Sequence, residues 1–161
     1  MPTAIPSSRE PGRPFGPFND ASTKVADIRA GEVVFQNDGV YVARSSGLET
    51  VADFTTRIPG GTGLRFNSFG PPAIDNGKVV FTGMHVFATP PPYPLLLAKL
   101  GVYSDIQGQL QGIITRSPQS RLDGKVVKRV FSSTAGLSDG RFAFKVTFVD
   151  GAEGVYIANP L

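Results

Sequence analysis

At 161 residues, with 40% of them apolar, the chain is long enough for one compact domain with its own core. It has no cysteine and one histidine, which excludes a disulfide framework and a zinc site built from several Cys and His side chains within one chain. Its 19 glycines and 14 prolines disfavour long helices and are typical of short strands joined by tight turns, while its formal net charge of +3 is informative mainly through its distribution.

The N-terminal region has the spacing of a repeat unit. Residues 1–17 lack the apolar run of a signal peptide. Five residues recur 48 positions later: Arg9, Pro11, Gly12, Phe18 and Asn19 match Arg57, Pro59, Gly60, Phe66 and Asn67. On that offset residues 1–8 take the place of a strand, and we expect them to close a sheet edge or to form a tail.

One phrase of eight residues occurs three times, as Ile28–Phe35, Ile74–Phe81 and Leu137–Phe144. Each copy contains a glycine in a polar turn, and apolar residues two and four positions after that glycine alternate onto one face of a strand. The phrase therefore predicts a tight turn followed by a strand. The residue directly after the glycine is charged in every copy, and we expect it to face water; these residues are Glu32, Lys78 and Arg141.

A second phrase, Gly-Val-Tyr, follows each copy of the first and predicts the other strand of a hairpin. Its tyrosines are Tyr41, Tyr103 and Tyr156. A third strand is predicted at residues 48–53 and 110–115, but the last unit has no counterpart of it. The chain is thus predicted to be one all-β domain, residues 1–161, of three units at about 9–56, 57–116 and 117–161.

An apolar insertion separates Phe81 from Tyr103 and is the part of the chain least like the repeat. Its prolines at 90, 91, 92 and 94 would break a membrane-spanning helix. A long connection within a regular repeat is typical of a binding loop, and the alternative is that it folds back over a sheet or plugs a ring. The predicted partner-binding residues are Met84, Phe87, Tyr93, Leu95, Leu96 and Leu97.

The sequence offers little catalytic chemistry. His85 is interpreted as a hydrogen-bonded structural residue, and no Gly-x-Ser-x-Gly phrase marks a nucleophile. The aspartates lie beside Gly or Asn in turn contexts, which explains them without a metal ion. We therefore predict no catalytic residue, no metal site and no cofactor.

Residues that recur in each unit could bind a ligand or could pack a repeated core position. The tyrosines and two pairs of loop arginines, Arg57 with Arg65 and Arg116 with Arg121, are the candidate glycan-binding residues. The stretch from Arg116 to Arg129 holds five cations and a single acid, Asp123. We interpret this stretch as an exposed, solubilising hairpin rather than as a nucleic-acid-binding surface.

The run from Val51 to Gly63, followed by Phe66–Gly70 and Ile74–Phe81, resembles tandem-repeat proteins of unknown function that bacteria export. The ending from Leu137 to Ala158 is similar to the last repeat of such proteins. This resemblance implies a β-propeller-like architecture and an extracellular or periplasmic setting.

These observations predict three repeats of antiparallel β-sheet arranged as propeller-like blades, with a three-fold closed β-trefoil or β-prism as the alternative. The leading functional hypothesis is a noncatalytic binding or structural module that assembles with itself or docks on a larger protein complex. A lectin-like carbohydrate-binding module is the second hypothesis. A polysaccharide hydrolase or lyase is ranked third because paired acids do not recur outside turns.

Overall fold

The structure, a computed structural model, describes residues 26–61, 63–86, 100–106, 108–116 and 120–159. The described residues form three antiparallel sheets, which confirms the predicted all-β class. Among these residues, no helix is long and apolar enough to cross a membrane. Sheet 1 has the order β1-β2-β3-β4, formed by Ala26–Arg29, Glu32–Gln36, Gly39–Arg44 and Gly47–Asp53.

Sheets 2 and 3 follow in sequence. In sheet 2 the order is β5-β7-β8-β9, and β6 also pairs with β7; the strands are β5 (Ser68–Phe69), β6 (Ala73–Asp75), β7 (Lys78–Met84), β8 (Leu100–Ile106) and β9 (Gln109–Thr115). In sheet 3 the order is β10-β11-β12-β13, formed by Arg121–Leu122, Lys125–Ser138, Arg141–Phe148 and Glu153–Ala158.

The three repeated glycines occupy the same kind of turn. In each turn the glycine and the residue before it both have positive φ, as in Ala30 (49°) with Gly31 (82°) and Asn76 (49°) with Gly77 (74°). This conformation is the type I′ hairpin turn, whose twist matches that of the flanking strands. Asp139 and Gly140 repeat it in sheet 3. The prediction of a tight turn followed by a strand is therefore confirmed in all three copies.

The two repeated phrases are joined by one cross-strand pair. The Phe four positions after the turn glycine lies opposite the Tyr of the Gly-Val-Tyr phrase in every sheet: Phe35 opposite Tyr41, Phe81 opposite Tyr103, and Phe144 opposite Tyr156. The ring centroids of these pairs are 5.6, 5.8 and 6.1 Å apart. Such pairs stabilise the hairpins and fix their register.

The sheets pack face to face in chain order. One core lies between sheets 1 and 2, and a second lies between sheets 2 and 3. Sheet 2 contributes Phe81 and Tyr103 to the first core, and Val80 and Val102 to the second. The middle sheet is consequently buried on both faces, as in a stack of layers.

Each sheet has two unlike faces, which we name by their place in the stack. The leading face carries the Phe and Tyr of the cross-strand pair and points toward the preceding sheet. The trailing face carries the small aliphatic residues beside them and points toward the following sheet. On the trailing faces, Val34 and Val40 of sheet 1 and Val80 and Val102 of sheet 2 are all buried by the sheet that follows.

Carboxylates of one sheet also cap the turn of the next. The Gly77 amide donates a hydrogen bond of 3.1 Å to Glu32, and the Gly140 amide donates one of 3.1 Å to Asp75. Arg44 donates to the Gly77 carbonyl over 2.9 Å. The prediction that the charged residue after the turn glycine faces water is therefore wrong for Glu32, because its carboxylate satisfies a backbone amide of the neighbouring sheet.

The fourth strand of sheet 3 differs from that of its neighbours. β4 and β9 pair with the Gly-Val-Tyr strands as predicted. In both pairings the register shifts directly after the Val of that phrase. Sheet 3 instead gains β10 at its opposite edge, through a further turn at Asp123 and Gly124 that has positive φ at both residues. In the described part of the chain β13 pairs with β12 alone. Residues 1–8, predicted to close such an edge, lie outside the described residues.

Candidate interaction surface

In the described part of the chain, no further sheet covers the trailing face of sheet 3. Val155 is 74% exposed, whereas Val40 and Val102, at the same place in sheets 1 and 2, are fully buried. Ile157 and Phe131 on this face are 68% and 46% exposed. Clusters of exposed apolar side chains are typical of interaction sites, and this one lies on the open face of a sheet.

Cations lie beside and between these apolar side chains. Phe131 lies opposite Lys145, which lies opposite Val155, so one row across the sheet alternates apolar and charged groups. Lys128, Arg129 and Lys145 line an open groove with Phe131 and Glu153. The ammonium of Lys145 is 2.8 Å from the Glu153 carboxylate, and its hydrogen bond and charge lower the pKa of Glu153.

The basic stretch contributes part of this rim. From Arg121 onward it forms the β10–β11 hairpin, and its side chains at 121, 125, 128 and 129 are exposed as predicted, whereas Arg116 precedes the hairpin and is partly buried. Lys125 pairs with Asp150 over 3.0 Å.

The leading end of the stack has a smaller open position. Ile28 is 66% exposed, although its counterparts Ile74 and Leu137 are buried at 0% and 1% by the sheet before them. Tyr41 and Leu48 on the leading face of sheet 1 are buried. The leading end therefore exposes β1 rather than the aromatic pair.

The tyrosines predicted as ligand-binding positions lie in or against the cores. Tyr41 and Tyr103 are buried, so neither ring offers a face to a sugar in this structure. Tyr156 is half-buried, packs against Phe144 and donates a hydrogen bond of 2.9 Å to Asp123. The packing role considered for these residues is the one that the structure shows.

Two equivalent tyrosines differ in how their hydroxyls are satisfied. The Tyr41 hydroxyl donates to Asp38 over 2.6 Å. The buried Tyr103 hydroxyl has no hydrogen-bond partner among the described residues, and burial raises its pKa. An unpaired buried hydroxyl keeps its full desolvation cost, whereas a paired one contributes net stability.

Replacement of these two tyrosines by Phe should therefore have opposite effects. We expect Tyr41→Phe to lower the free energy of unfolding by about 1 kcal/mol, and Tyr103→Phe to leave it unchanged or raise it by up to about 1 kcal/mol. Urea denaturation followed by circular dichroism measures both. Equal losses for the two variants would contradict the assignment of an unpaired hydroxyl to Tyr103.

One of the two predicted arginine pairs is brought together. Arg57 and Arg65 are exposed and lie opposite each other in an isolated antiparallel bridge. Their loop begins at Asp53; burial opposes the ionised form of this carboxylate, but hydrogen bonds from Thr55 and Thr56 outweigh burial and lower its pKa.

The two arginines of the other predicted pair have different surroundings. Arg121 is exposed and donates to the Gly124 carbonyl over 3.2 Å. Arg116 is partly buried, and one buried guanidinium nitrogen lacks a partner in the described part of the chain. The structure thus supports a single exposed arginine pair.

The insertion is described only at its start. Met84 is the last residue of β7 and lies opposite Leu100, and the backbone of Val86 exchanges two hydrogen bonds with the Asn67 side chain. A nitrogen of the His85 ring lies 2.6 Å from the Arg65 carbonyl, in agreement with a structural role. The other predicted partner-binding residues, Phe87, Tyr93, Leu95, Leu96 and Leu97, lie outside the described residues, so their role stays a prediction.

A polar cluster occupies the seam between sheets 1 and 2. Arg44 contacts Glu32 over 2.6 Å and also pairs with Glu49. Asp105 is nearby, and its pKa is raised because burial outweighs the hydrogen bond from Gly108 and the charge of Arg44. Within the described ranges, no group of three or more His, Cys, Asp or Glu side chains is placed to hold a metal ion.

Comparison with protein-family models, with curated proteins and with solved structures found no match to this chain.

Proposed function

We propose that this chain is a noncatalytic β-repeat module that associates, through the trailing face of sheet 3, with itself or with a larger protein complex. The observation that carries the proposal is the exposure of Val155 at a position where both equivalent valines are buried. A large apolar residue at a repeated contact position stabilises an array only when another surface covers it. An exported setting belongs to the same proposal and rests on the resemblance to exported repeat proteins.

The composition of the face also supports a protein partner. Phe131, Val155 and Ile157 provide a largely apolar centre in which Lys145 lies between Phe131 and Val155, and Lys128 and Arg129 provide charge at its border. Protein interfaces commonly combine such a centre with a polar border.

Charge introduced at the centre of the face tests the proposal. We expect Val155→Asp/Ile157→Asp to abolish association, because a covering surface would have to remove two added carboxylates from water, which is strongly unfavourable. Size-exclusion chromatography of the tagged chain in soluble extract, and light scattering of the purified chain, measure association with other proteins and with itself. Val149→Asp is the matched control, since Val149 is 63% exposed but lies in the turn after β12. Identical profiles for the wild type and the double variant, in extract and when pure, would refute the proposal.

A further inference from the structure

The inference rests on the proposed function and names the partner. We propose that the trailing face of sheet 3 binds the leading end of sheet 1 in a second copy of this chain. The contact would continue the packing that joins sheet 1 to sheet 2 and sheet 2 to sheet 3.

The direction of the contact follows from the unlike faces. Between sheets 1 and 2, Val34 and Val40 of a trailing face share a core with Phe81 and Tyr103 of a leading face. Between sheets 2 and 3, aliphatic residues of a trailing face again share a core with the aromatic pair of the next sheet. Two trailing faces placed together would not repeat this arrangement of a trailing face against a leading face, and at the leading end of sheet 1 the exposed element is β1 with Ile28. The assembly is therefore head to tail.

The residues of β12 that would make the contact are equivalent to residues of sheets 1 and 2 that already contact the following sheet. One residue after the turn glycine, Glu32 of sheet 1 reaches the Gly77 turn of sheet 2. The corresponding residue of sheet 2, Lys78, lies close to Gly140 of sheet 3. In sheet 3 this position is Arg141, which is exposed.

The residues five positions after the turn glycine also contact the next sheet. Gln36 of sheet 1 donates to the Phe69 carbonyl of sheet 2 over 2.8 Å, and Thr82 of sheet 2 is hydrogen-bonded to Ser132 of sheet 3. In sheet 3 this position is Lys145, which is exposed. Three residues after the turn glycine, where sheets 1 and 2 have Val34 and Val80, sheet 3 has Ala143 on the same open face.

The receiving surface is the open edge around Ile28. Its counterparts Ile74 and Leu137 are each buried by the preceding sheet, so a sheet placed before sheet 1 would bury Ile28 in the same way. Tyr41 is already covered, but this does not oppose docking. The equivalent Tyr103 packs edge-on against Phe66 of its own unit at 4.9 Å, and sheet 1 packs against that arrangement.

A head-to-tail pair can close on itself. Two copies supply six sheets, within the range of about four to eight blades that propellers use. A heterologous contact forms a ring when its rotation closes and an open filament when it does not. The closed form contains two identical interfaces, and every sheet in it has a neighbour on both faces.

Solution mass tests the second copy as the partner. We expect the purified chain to have twice its 17.1 kDa mass. Ile28→Asp and Val155→Asp/Ile157→Asp should each raise the dissociation constant at least about a hundredfold, because each places a charge in both interfaces. Val155→Thr/Ile157→Thr keeps strand-favouring side chains and should weaken association less, which separates loss of contact from loss of folding. Circular dichroism verifies that each variant is folded.

Engineered cysteines test the geometry, since the chain has none of its own. We choose Ile28→Cys and Ala143→Cys because positions 28 and 143 are equivalent to those of Ile74 and Val34, which share one core. We expect oxidation of an equimolar mixture of the two variants to give a covalent dimer, and either variant alone to give little. The double variant Ile28→Cys/Ala143→Cys should give covalent dimers if the ring closes and a ladder of larger species if it does not.

The outcomes separate this inference from the proposed function. A purified chain that stays at 17.1 kDa overturns the inference, and the proposed function then stands if the face variant still loses a complex in soluble extract. A dimer that survives Ile28→Asp, and in which Ala143→Cys cross-links to itself, also overturns it, because the two trailing faces would then be packed together. If replacement of Val155 and Ile157 changes neither the association in extract nor the mass of the purified chain, the proposed function and this inference are both refuted.

Discussion

Phe66→Ala should lower the free energy of unfolding by about 3–5 kcal/mol. Phe66 lies in the segment before β5 and is almost fully buried. Its ring centroid is 4.9 Å from that of Tyr103, 5.3 Å from that of Phe69 and 5.9 Å from that of Phe81. Removal of the ring would leave a cavity at the centre of the core between sheets 1 and 2. Because the chain has no tryptophan, urea denaturation followed by circular dichroism is the suitable measurement.

Phe54→Ala is the matched control for that variant. Phe54 stacks on Phe69 with a centroid distance of 5.7 Å but is half exposed, so we expect a loss of only about 1 kcal/mol. Similar losses for the two variants would show that the ring of Phe66 is not enclosed by its neighbours.

Gly101→Ala should cost about 2–3 kcal/mol, because a methyl group at this position overpacks the sheet. An ideal Cβ at Gly101 would lie 2.8 Å from the Ile114 carbonyl oxygen of β9 and 2.8 Å from the Tyr103 hydroxyl. The carbonyl belongs to the backbone of a paired strand and cannot move aside. The Gly of the Gly-Val-Tyr phrase thus leaves room for the tyrosine that folds back over it. Thermal denaturation at a fixed protein concentration would measure the loss.

Gly154→Ala provides the comparison within the same repeat. The nearest atoms to its ideal Cβ all belong to the Tyr156 side chain, because no described strand pairs with the outer edge of β13. A side chain can shift, so we expect Gly154→Ala to cost clearly less than Gly101→Ala. A cost as large as that at Gly101 would mean that another strand lies beside β13 in solution.

Local sequence determined most of the hairpin geometry. The turns at Gly31, Gly77 and Gly140 and the strands that follow them depend on interactions within a few residues or across one hairpin, so the repeated phrases are sufficient to predict them. The phrases predict the hairpins as well, but the pairing of each Phe with a Tyr across them is known only from the structure. The stretch around Asp123-Gly124 is predicted as an exposed hairpin but not as a copy of the repeated phrase, because it lacks the apolar residue that begins the other phrases and has Arg121 in its place.

The candidate surface could not be predicted from local sequence. Val40, Val102 and Val155 occur in the same phrase, and their exposure differs only because two have a following sheet and one does not. The hydrogen-bond partners of Glu32 and Asp75 could likewise not be predicted, since Gly77 and Gly140 lie 45 and 65 positions away along the chain. Both depend on the order in which sheets stack, which no single phrase encodes.

Directional stacking makes the architecture modular. Every junction joins an aliphatic surface to an aromatic one, so excision of residues 57–116 would bring sheet 3 against sheet 1 across a junction of the same type. Duplication of that unit would likewise create no mismatched boundary. Such an array can lengthen or shorten by whole units, and nearest-neighbour contacts rather than total length then set its stability.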